Sequence, residues 1–292
     1  MNVSTVAVLG ASGVYGRHLL PRLIATGHRV RALVRTPASA TAASAAGADV
    51  RAADIFDPVS LRAGLEGCDV AINLATSLPS PGKQGGDSNA NNRVRREGVP
   101  IFLEACAASG VRRVLQQSIA MVHCGGGEEW VDEMTSFVAP PQGIVGEAMT
   151  VAREMEAIVA HSPLDWLILR GALFYGPGTG FDDDWFARAR AGKLRLPASG
   201  DDYVSLVYVA DMADATVAAL SRWPSRQHLI IADDEPPRWR ELLSFVAASA
   251  GGPEPQAGGP ARFPSFRVRN ARAREALGWT PRYSNYRIGL AR

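Results

Sequence analysis

Residues 10–16 read Gly-Ala-Ser-Gly-Val-Tyr-Gly, and the three glycines of this stretch decide the fold. A β-rich apolar run over residues 6–9 precedes them, and a helical pattern over residues 14–26 follows. Glycines placed this way allow a tight turn, close approach of the backbone to a pyrophosphate, and close packing of helix on strand. The N-terminus of the helix that follows would bind the phosphates. The alternative interpretation of the glycines is a turn with a structural role only. The pattern predicts a dinucleotide-binding loop with cofactor contacts at Gly10, Ser12, Gly13, Val14, Tyr15 and Gly16.

Apolar runs and Ala/Leu-rich helical stretches alternate around this loop. Such alternation is typical of a parallel sheet with helices on both faces. Strands are predicted at residues 6–9, 28–34, 49–53, 70–74, 113–117, 165–169 and 206–209, and helices at residues 14–26, 38–46, 59–66, 100–109 and 146–161. Residues 79–92, rich in Pro, Gly, Ser and Asn, are predicted to form a long loop. The predicted fold class is α/β, a Rossmann-type doubly wound parallel sheet.

The rhythm of the sequence changes after Gly176, and the tail is predicted to form a smaller C-terminal substrate-binding subdomain. The predicted dinucleotide-binding Rossmann domain covers residues 1–170, and residues 200–232 return to it. The subdomain then comprises residues 171–199 and 233–292. A chain of this length buries enough surface to fold without a metal or a disulfide.

The composition of the chain indicates which kinds of binding partner and which cellular compartment to expect. The net charge of +2 is too balanced to indicate nucleic acid or a membrane surface, and the pair Arg95 and Arg96 is interpreted as a solvated helix end. Three cysteines without a CxxC spacing indicate a reducing cytoplasm. No stretch approaches the roughly 18 apolar residues of a membrane helix, so we expect a soluble, cytoplasmic protein.

The end of the second predicted strand bears on the choice of cofactor. An acidic residue there accepts from the ribose hydroxyl of NAD, whereas an arginine meets the 2′-phosphate of NADP. The strand ends at Val34-Arg35-Thr36 without an acid, so NADP is favoured over NAD, the alternative being a solvated Arg35. Asp54 and Ile55 follow the third strand and suit a contact to adenine, although Asp54 also suits a helix entry.

Eight motifs in order carry a resemblance to a known family. They are the 10–16 loop, Val30-Arg-Ala-Leu-Val-Arg35, Asp54-Ile55, Asn73-Leu-Ala-Thr76, Arg113-Val-Leu-Gln-Gln-Ser118, Leu169-Arg170 with Tyr175-Gly-Pro-Gly178, Val207-Tyr-Val-Ala-Asp211 and Ala273-Arg-Glu-Ala-Leu-Gly-Trp-Thr-Pro281. Over nearly its whole length the chain resembles the extended short-chain dehydrogenase/reductase family, the NAD(P)-dependent epimerase/dehydratase group. The resemblance implies cofactor contacts at Leu74, Ala75 and Thr76, a small-molecule substrate, and a homodimer as the candidate assembly.

The oxidoreductases of this family use a serine, a tyrosine and a lysine, the last two four residues apart on one helix. The tyrosine transfers the proton of the alcohol, and the neighbouring ammonium lowers the pKa of the tyrosine. None of the six tyrosines of this chain is followed by a lysine four residues later.

The resemblance indicates which residues of this chain occupy the positions of the family's serine, tyrosine and lysine. Anchored on Glu156 and Arg170, the resemblance puts Ala148 at the position of the tyrosine and Ala152 at that of the lysine; a shift of two residues gives Gly146 and Thr150. Ile119 takes the place of the serine, with Ser118 just before it. The mechanism of the family therefore does not carry over.

Four residues are predicted as catalytic candidates instead: Ser118, His123, Glu147 and Tyr175. His123 is expected near the carboxyl ends of the strands, where a histidine acts as acid or base near neutral pH, unless it is a packed residue. Glu147 lies near the position of the lost tyrosine, and Tyr175 on a loop expected over the nicotinamide, so either is a candidate proton donor. Ser118 is expected on the floor of the pocket.

Phe181, Trp185 and Tyr203 are predicted to form an aromatic, largely apolar substrate pocket. The predicted function is that of an NADP-dependent oxidoreductase acting on a small apolar or aromatic carbonyl, alcohol or enone with a non-standard active site. Two alternatives remain open: a non-redox isomerase, epimerase or cyclase using the same pocket, and a non-catalytic NADP-sensing regulator. No metal site is predicted.

Overall fold

A seven-stranded sheet forms the centre of the computed structural model, which describes residues 3–36, 40–78, 87–260 and 263–291. The strands of the described residues are β1 Thr5–Leu9, β2 Arg29–Val34, β3 Asp49–Ala52, β4 Val70–Asn73, β5 Arg113–Ile119, β6 Trp130–Val131, β7 Asp165–Gly171, β8 Leu173–Tyr175, β9 Arg195–Pro197, β10 Leu206–Tyr208, β11 Gln227–Ile231, β12 Gln256–Gly259 and β13 Arg267–Val268. The large sheet has the order β11-β7-β5-β4-β1-β2-β3, and all its pairings are parallel.

Helices cover both faces of this sheet. They are α1 Val14–Ala25, α2 Ala40–Ala45, α3 Pro58–Leu65, α4 Ser88–Arg93, α5 Val99–Ala108, α6 Ile144–His161, α7 Phe181–Arg190, α8 Val209–Arg222, α9 Trp239–Ala250, α10 Ala271–Leu277 and α11 Tyr286–Gly289. A π-helical segment, Val94–Gly98, joins α4 to α5, and a 3₁₀ turn, Ala120–His123, follows β5.

Apolar side chains on the two faces of the large sheet form two hydrophobic cores. Val6 and Val8 of β1 pack in the core that contains α1 and α8, whereas Ala7 and Leu9 pack in the core that contains α3, α5 and α6. Successive residues of a strand point to opposite faces, so both faces of a buried strand must be apolar. The doubly wound α/β fold predicted from the sequence is confirmed.

The order of the sheet reverses at β1, which pairs with β2 on one side and with β4 on the other. Open α/β sheets bind ligands outside the carboxyl ends of the strands at such a switch point. The chain leaves β1 there through the 10–16 loop and leaves β4 there through Leu74 and Ala75.

Part of the chain after residue 176 returns to the large sheet. β11 pairs with β7, and α8 packs on α1. The remaining strands form two-stranded pairs, β10 with β8, β12 with β9 and β13 with β6. The division of the chain into a Rossmann domain and a substrate-binding subdomain stays a prediction.

The loop predicted over residues 79–92 is wrong at its end, because α4 begins at Ser88. Asp87 caps that helix by accepting a hydrogen bond from the Ala90 N–H. Residues 79–86 of the predicted loop, and residues 38 and 39 of the predicted second helix, lie outside the described residues. None of the helices described is long and apolar enough to cross a membrane. The three cysteines are buried and free.

Candidate cofactor and substrate site

The 10–16 loop has a backbone that side chains would disrupt. Gly10 has φ +81°, and a Cβ at this position would lie 2.7 Å from the carbonyl carbon of Leu74. A Cβ at Gly16 would overlap the backbone of Ala11. The Gly13 N–H donates to the carbonyl of Gly10 at 3.0 Å and closes the turn. The glycines therefore keep a backbone cradle open at the switch point, which fits a dinucleotide.

The N-terminus of α1 opens into this cradle. Gly13 is its N-cap, no side chain caps it, and its first turn contains no acidic residue. The first N–H groups of a helix lack intrahelical partners and carry the positive end of the helix dipole. The backbone at Val14, Tyr15 and Gly16 therefore suits a pyrophosphate, with Ser12 half-buried at the tip of the loop.

The side chain of Tyr15 points away from this cradle. It is buried, and its hydroxyl contacts the hydroxyl of Thr216 on α8 and lies 3.5 Å from the carbonyl of Met212. Burial raises the pKa of Tyr15, so the phenol stays protonated. Only the backbone of Tyr15 is therefore available to a cofactor.

Other predicted cofactor contacts lie along the same edge of the sheet. Arg35 is exposed directly after β2. Asp54 accepts from the Phe56 N–H at 2.9 Å, beside the buried Ile55. The Leu74 N–H donates to the carbonyl of Leu9 at 2.9 Å.

Asn73, the last residue of β4, holds the backbone of the segment that follows the strand. The Ala75 N–H donates to the side-chain oxygen of Asn73 at 3.0 Å, and Thr76, the next residue, is exposed. The carboxyl ends of β1, β2 and β4 thus bring the predicted cofactor contacts to one edge.

Ala148 and Ala152 of α6 are the residues that the resemblance puts at the positions of the family's tyrosine and lysine. Ala148 is half-buried on α6, and Ala152, one turn later, is fully buried. The shifted positions are no better, because a side chain at Gly146 would overlap the carbonyl of Pro141 and the Thr150 hydroxyl donates to the Gly146 carbonyl at 2.9 Å. These positions of α6 supply no acid, base or ammonium.

Ser118 and His123 belong to one buried network. The Ser118 hydroxyl donates to Glu156 Oε1 at 2.6 Å, and Arg170 Nη2 donates to Glu156 Oε2 at 2.7 Å. Arg170 Nη1 lies 3.0 Å from His123 Nε2. A guanidinium only donates, so Nε2 accepts and the proton of the neutral ring is on Nδ1. Ser118 is therefore engaged with Glu156 rather than offered to a substrate.

The charge state of His123 follows from the same contacts. Burial, assisted by the positive charge of Arg170, lowers the pKa of His123 to about 4. His123 is therefore neutral at pH 7 and packs beside Phe137, with ring centroids 5.0 Å apart. The geometry corresponds to the packed-residue alternative for His123 rather than to an acid.

The other two candidate donors lie apart from this network. Tyr175 is fully buried, and its hydroxyl donates to the carbonyl of Asn285 at 3.3 Å. Glu147 is exposed and lies 3.6 Å from Arg96 in an ion pair. Tyr175 is thus enclosed by the C-terminal segment, and Glu147 is held on the surface.

The predicted aromatic pocket is in part a packed core. Trp185 is buried, with its ring centroid 6.3 Å from that of Trp239 and 6.3 Å from that of the half-buried Phe181. Tyr203 lies between two guanidinium groups, with Arg238 and Arg267 each 4.4 Å from its ring centroid. Trp185 is therefore not available as a pocket wall.

Exposed apolar side chains occur instead on two segments that follow β4 and β6. They are Leu78, Met134, Phe137, Val138 and Ile144. Phe137 packs against His123, which follows β5. Phe137 therefore exposes apolar surface beside His123, close to the carboxyl end of β5.

Sequence reasoning misplaced one residue at this site. Arg95, interpreted as solvated, is only 6% exposed, and its Nη1 donates to the carbonyl of Ala148 at 3.1 Å. Arg96, the next residue, is exposed and pairs with Glu154 at 2.9 Å. Neighbouring residues of a helix point in directions about 100° apart, so one of two adjacent arginines can be buried while the other faces solvent.

Comparison with known proteins identifies a matching family model and related sequences. Residues 10–222 match a family model described as NAD(P)H-binding. A protein of Streptomyces sp. named 3-diazoavenalumate denitrifying reductase is 34% identical, over 98% of this chain and 99% of its own. A 2-alkyl-3-oxoalkanoate reductase of Shewanella oneidensis is 26% identical, over 86% of this chain and 67% of its own.

The fold has counterparts among solved structures. The crystal structure of UDP-glucose 4-epimerase of Thermotoga maritima with UDP-glucose matches with a TM-score of 0.80 at 19% identity. The match covers 98% of this chain and 96% of the epimerase chain. A likeness at this identity concerns the fold alone.

Proposed function

The chain belongs to the NAD(P)H-binding family, within the extended short-chain dehydrogenase/reductase group, and on that premise we propose that it is an NADPH-dependent reductase of a small aromatic electrophile. Its relatives are NAD(P)-dependent reductases and epimerases. One observation carries the proposal: the dinucleotide cradle is intact, whereas the methyl groups of Ala148 and Ala152 stand at the proton-handling positions.

NADPH is proposed over NADH because of the residue after β2. Arg35 is exposed there, and no acidic residue stands beside it to accept from a ribose hydroxyl. A guanidinium in this place pairs with a 2′-phosphate through charge-assisted hydrogen bonds.

The absence of a hydroxyl and an ammonium from Ala148 and Ala152 of α6 restricts the substrate under this proposal. When bound, the reduced nicotinamide supplies a hydride, which reduces a carbonyl only if a proton reaches the oxygen, whereas an arenediazonium carbon takes the hydride and releases dinitrogen without one. The relative similar over almost its whole length is named for denitrifying a diazo compound. We therefore extend that substrate class to this chain, ahead of carbonyls, alcohols and enones.

An aromatic substrate also suits the surface near the site. Leu78, Met134, Phe137 and Ile144 expose apolar side chains on the segments that follow β4 and β6. Burying an apolar face of about 100 Å² against such side chains contributes on the order of 2–3 kcal/mol to binding. A location in the cytoplasm and a homodimeric assembly remain predictions.

The proposal is tested by the consumption of NADPH. The purified protein is mixed with NADPH and, in separate reactions, with methoxybenzenediazonium, benzaldehyde and cinnamaldehyde, and the loss of NADPH absorbance is compared with reactions lacking protein. We expect consumption with the diazonium salt and formation of anisole. A variant with Gly13→Val, which fills the cradle, serves as the control and should show only the background rate.

Other outcomes would change the assignment. Consumption with the aldehydes alone would keep the reductase and overturn the diazo substrate class. Tight binding of NADPH without consumption of any substrate would contradict the reductase and favour the regulator or the non-redox enzyme. Failure to bind NADPH would overturn the whole assignment.

A further inference from the structure

Arg95 is a buried arginine at the junction of three helical segments. It lies in the π-helical segment between α4 and α5, which packs against α6. With 6% of its surface exposed, the residue differs from its neighbours Arg93 and Arg96, which are exposed. π-Helical segments are rare and often occur at functional sites, because the extra residue redirects the side chains of one turn.

The guanidinium of Arg95 is only partly satisfied. Its Nη1 donates to the carbonyl of Ala148, and it makes no other hydrogen bond to a residue that the structure describes. Glu156 is the opposite charge that acts on it, but both oxygens of Glu156 accept hydrogen bonds from Arg170 and Ser118. Burial lowers the pKa of Arg95 to about 10, so the group remains charged at neutral pH.

The position of Arg95 relates it to the site. Asn91 lies four residues earlier in the same helical run, and residues at this spacing share a face. The side-chain oxygen of Asn91 accepts from the Ser77 N–H at 3.0 Å. Ser77 follows Thr76 at the carboxyl end of β4, and Ala148 on α6 marks the position of the lost tyrosine. Asn91 thus contacts the segment after β4, and Arg95, one turn later in the same helical run, contacts α6.

Arg95 uses one of its five donors within the described residues, so a largely buried cation retains donors with which it can bind an anion. We propose that Arg95 is a specificity-determining residue that binds an anionic oxygen of the substrate at the position vacated by the tyrosine. The inference rests on the proposed function and deepens it, since it adds an anionic group to the aromatic substrate.

Two kinds of oxygen share this chemistry. A carboxylate is charged before the reaction, so Arg95 would strengthen the binding of an unreactive aromatic carboxylate. A carbonyl oxygen gains charge only during hydride transfer. If the substrate offered a carbonyl oxygen, Arg95 would raise kcat and would not strengthen the binding of an unreactive carboxylate. Because no proton donor stands beside Arg95 on α6, the permanent charge of a carboxylate is the source that we favour.

The test measures the binding of cinnamate and of its neutral analogue cinnamamide to the protein saturated with NADP⁺, by isothermal titration calorimetry. We expect wild-type protein to prefer cinnamate by about tenfold or more, as charge-assisted hydrogen bonds of a guanidinium to a carboxylate imply. The Arg95→Gln variant should lose that preference, and Arg95→Lys, which keeps a charge without the planar fork, should retain part of it. Arg96→Gln is the matched control and should bind both probes as the wild type does.

The outcomes separate this inference from the proposed function. Equal binding of the two probes by wild-type protein, or an unchanged preference in Arg95→Gln, would overturn the carboxylate site. If the two probes weaken equally in Arg95→Gln and the variant melts earlier, the role of Arg95 is structural and the inference fails. Failure of wild-type protein to bind NADP⁺ would overturn the proposed function instead.

Discussion

Arg35 is the residue on which we base the proposed preference for NADPH. It is exposed at the carboxyl end of β2, where a 2′-phosphate would meet it. We expect Arg35→Ala to weaken the binding of NADPH by about tenfold or more and to leave the binding of NADH nearly unchanged. Titration of nicotinamide fluorescence measures both. Arg29→Ala, at the opposite end of the same strand, is the control and should change neither.

The opposite result would locate the selectivity elsewhere. If Arg35→Ala binds NADPH as tightly as the wild type, Arg35 is a solvated residue and the preference for NADP loses its support.

His123 makes stability depend on pH. Its pKa in the folded protein is about 4, below the usual 6.5, so between these values the unfolded chain binds a proton that the folded one does not. Above about pH 6.5 the ring is neutral in both the folded and the unfolded chain, and His123 does not lower the free energy of unfolding. As the pH falls from 6.5 towards 4, protonation of the unfolded chain lowers the free energy of unfolding by on the order of 3 kcal/mol.

His123→Gln tests this dependence, because glutamine keeps an acceptor for Arg170 and does not titrate. Urea unfolding at pH 7 and at about pH 4.5 should show that the variant loses less stability on acidification than the wild type does. An identical loss in both proteins would contradict the neutral, buried state of His123.

Residues at the site were predictable to different degrees. The need for glycine at residues 10 and 16 was predictable from their spacing, because a Cβ at either position would overlap backbone atoms. The burial of Arg95 was not predictable, because which of two adjacent arginines faces the packed side depends on the π-helical segment. The enclosure of Tyr175 depends on residues 285–289, more than a hundred positions away.

At the scale of elements, one buried ion pair joins α6 to the sheet. Glu156 of α6 accepts from Arg170 of β7 and from Ser118 of β5, and both charged residues are about 4% exposed. Glu156→Gln leaves the Arg170 guanidinium buried without its counter-charge, which should cost about 3 kcal/mol or more of unfolding free energy.

A second glutamate of α6 provides the control. Glu154 pairs with Arg96 at 2.9 Å on the surface, so Glu154→Gln should cost less than about 1 kcal/mol. Urea unfolding of both variants measures the difference. Equal losses would mean that the network of Glu156 does not fasten α6 to the sheet.

The elements of the first half of the chain were predictable from pattern. Strands β1 to β5 begin and end within two residues of their predicted bounds, since buried parallel strands are short apolar runs. Helix α4 was missed because its asparagines disfavour helix interiors, and the contact from Asn91 to Ser77 that holds it is tertiary. Strand β11 was missed because its run, Gln227–Ile231, has no signal that assigns it to the distant β7.

At the scale of the whole molecule, we propose that the fold keeps the cofactor half of the family's site and lacks the tyrosine and the lysine of the other half. The switch point between β1 and β4 retains the cradle at Gly10, and α6 presents Ala148 and Ala152 in place of acid and base. On this proposal, the protein transfers hydride to substrates that need no proton from those two positions of α6.

The most direct test of this central claim is a labelling experiment. Methoxybenzenediazonium is incubated with the protein and with NADPH deuterated at one or the other of the two C4 positions, and the deuterium in the anisole is measured by mass spectrometry. We expect the deuterium to be transferred from one C4 position only, to the carbon that carried the diazo group. Anisole without deuterium, or transfer from both C4 positions alike, would contradict it; a reaction without protein gives the background.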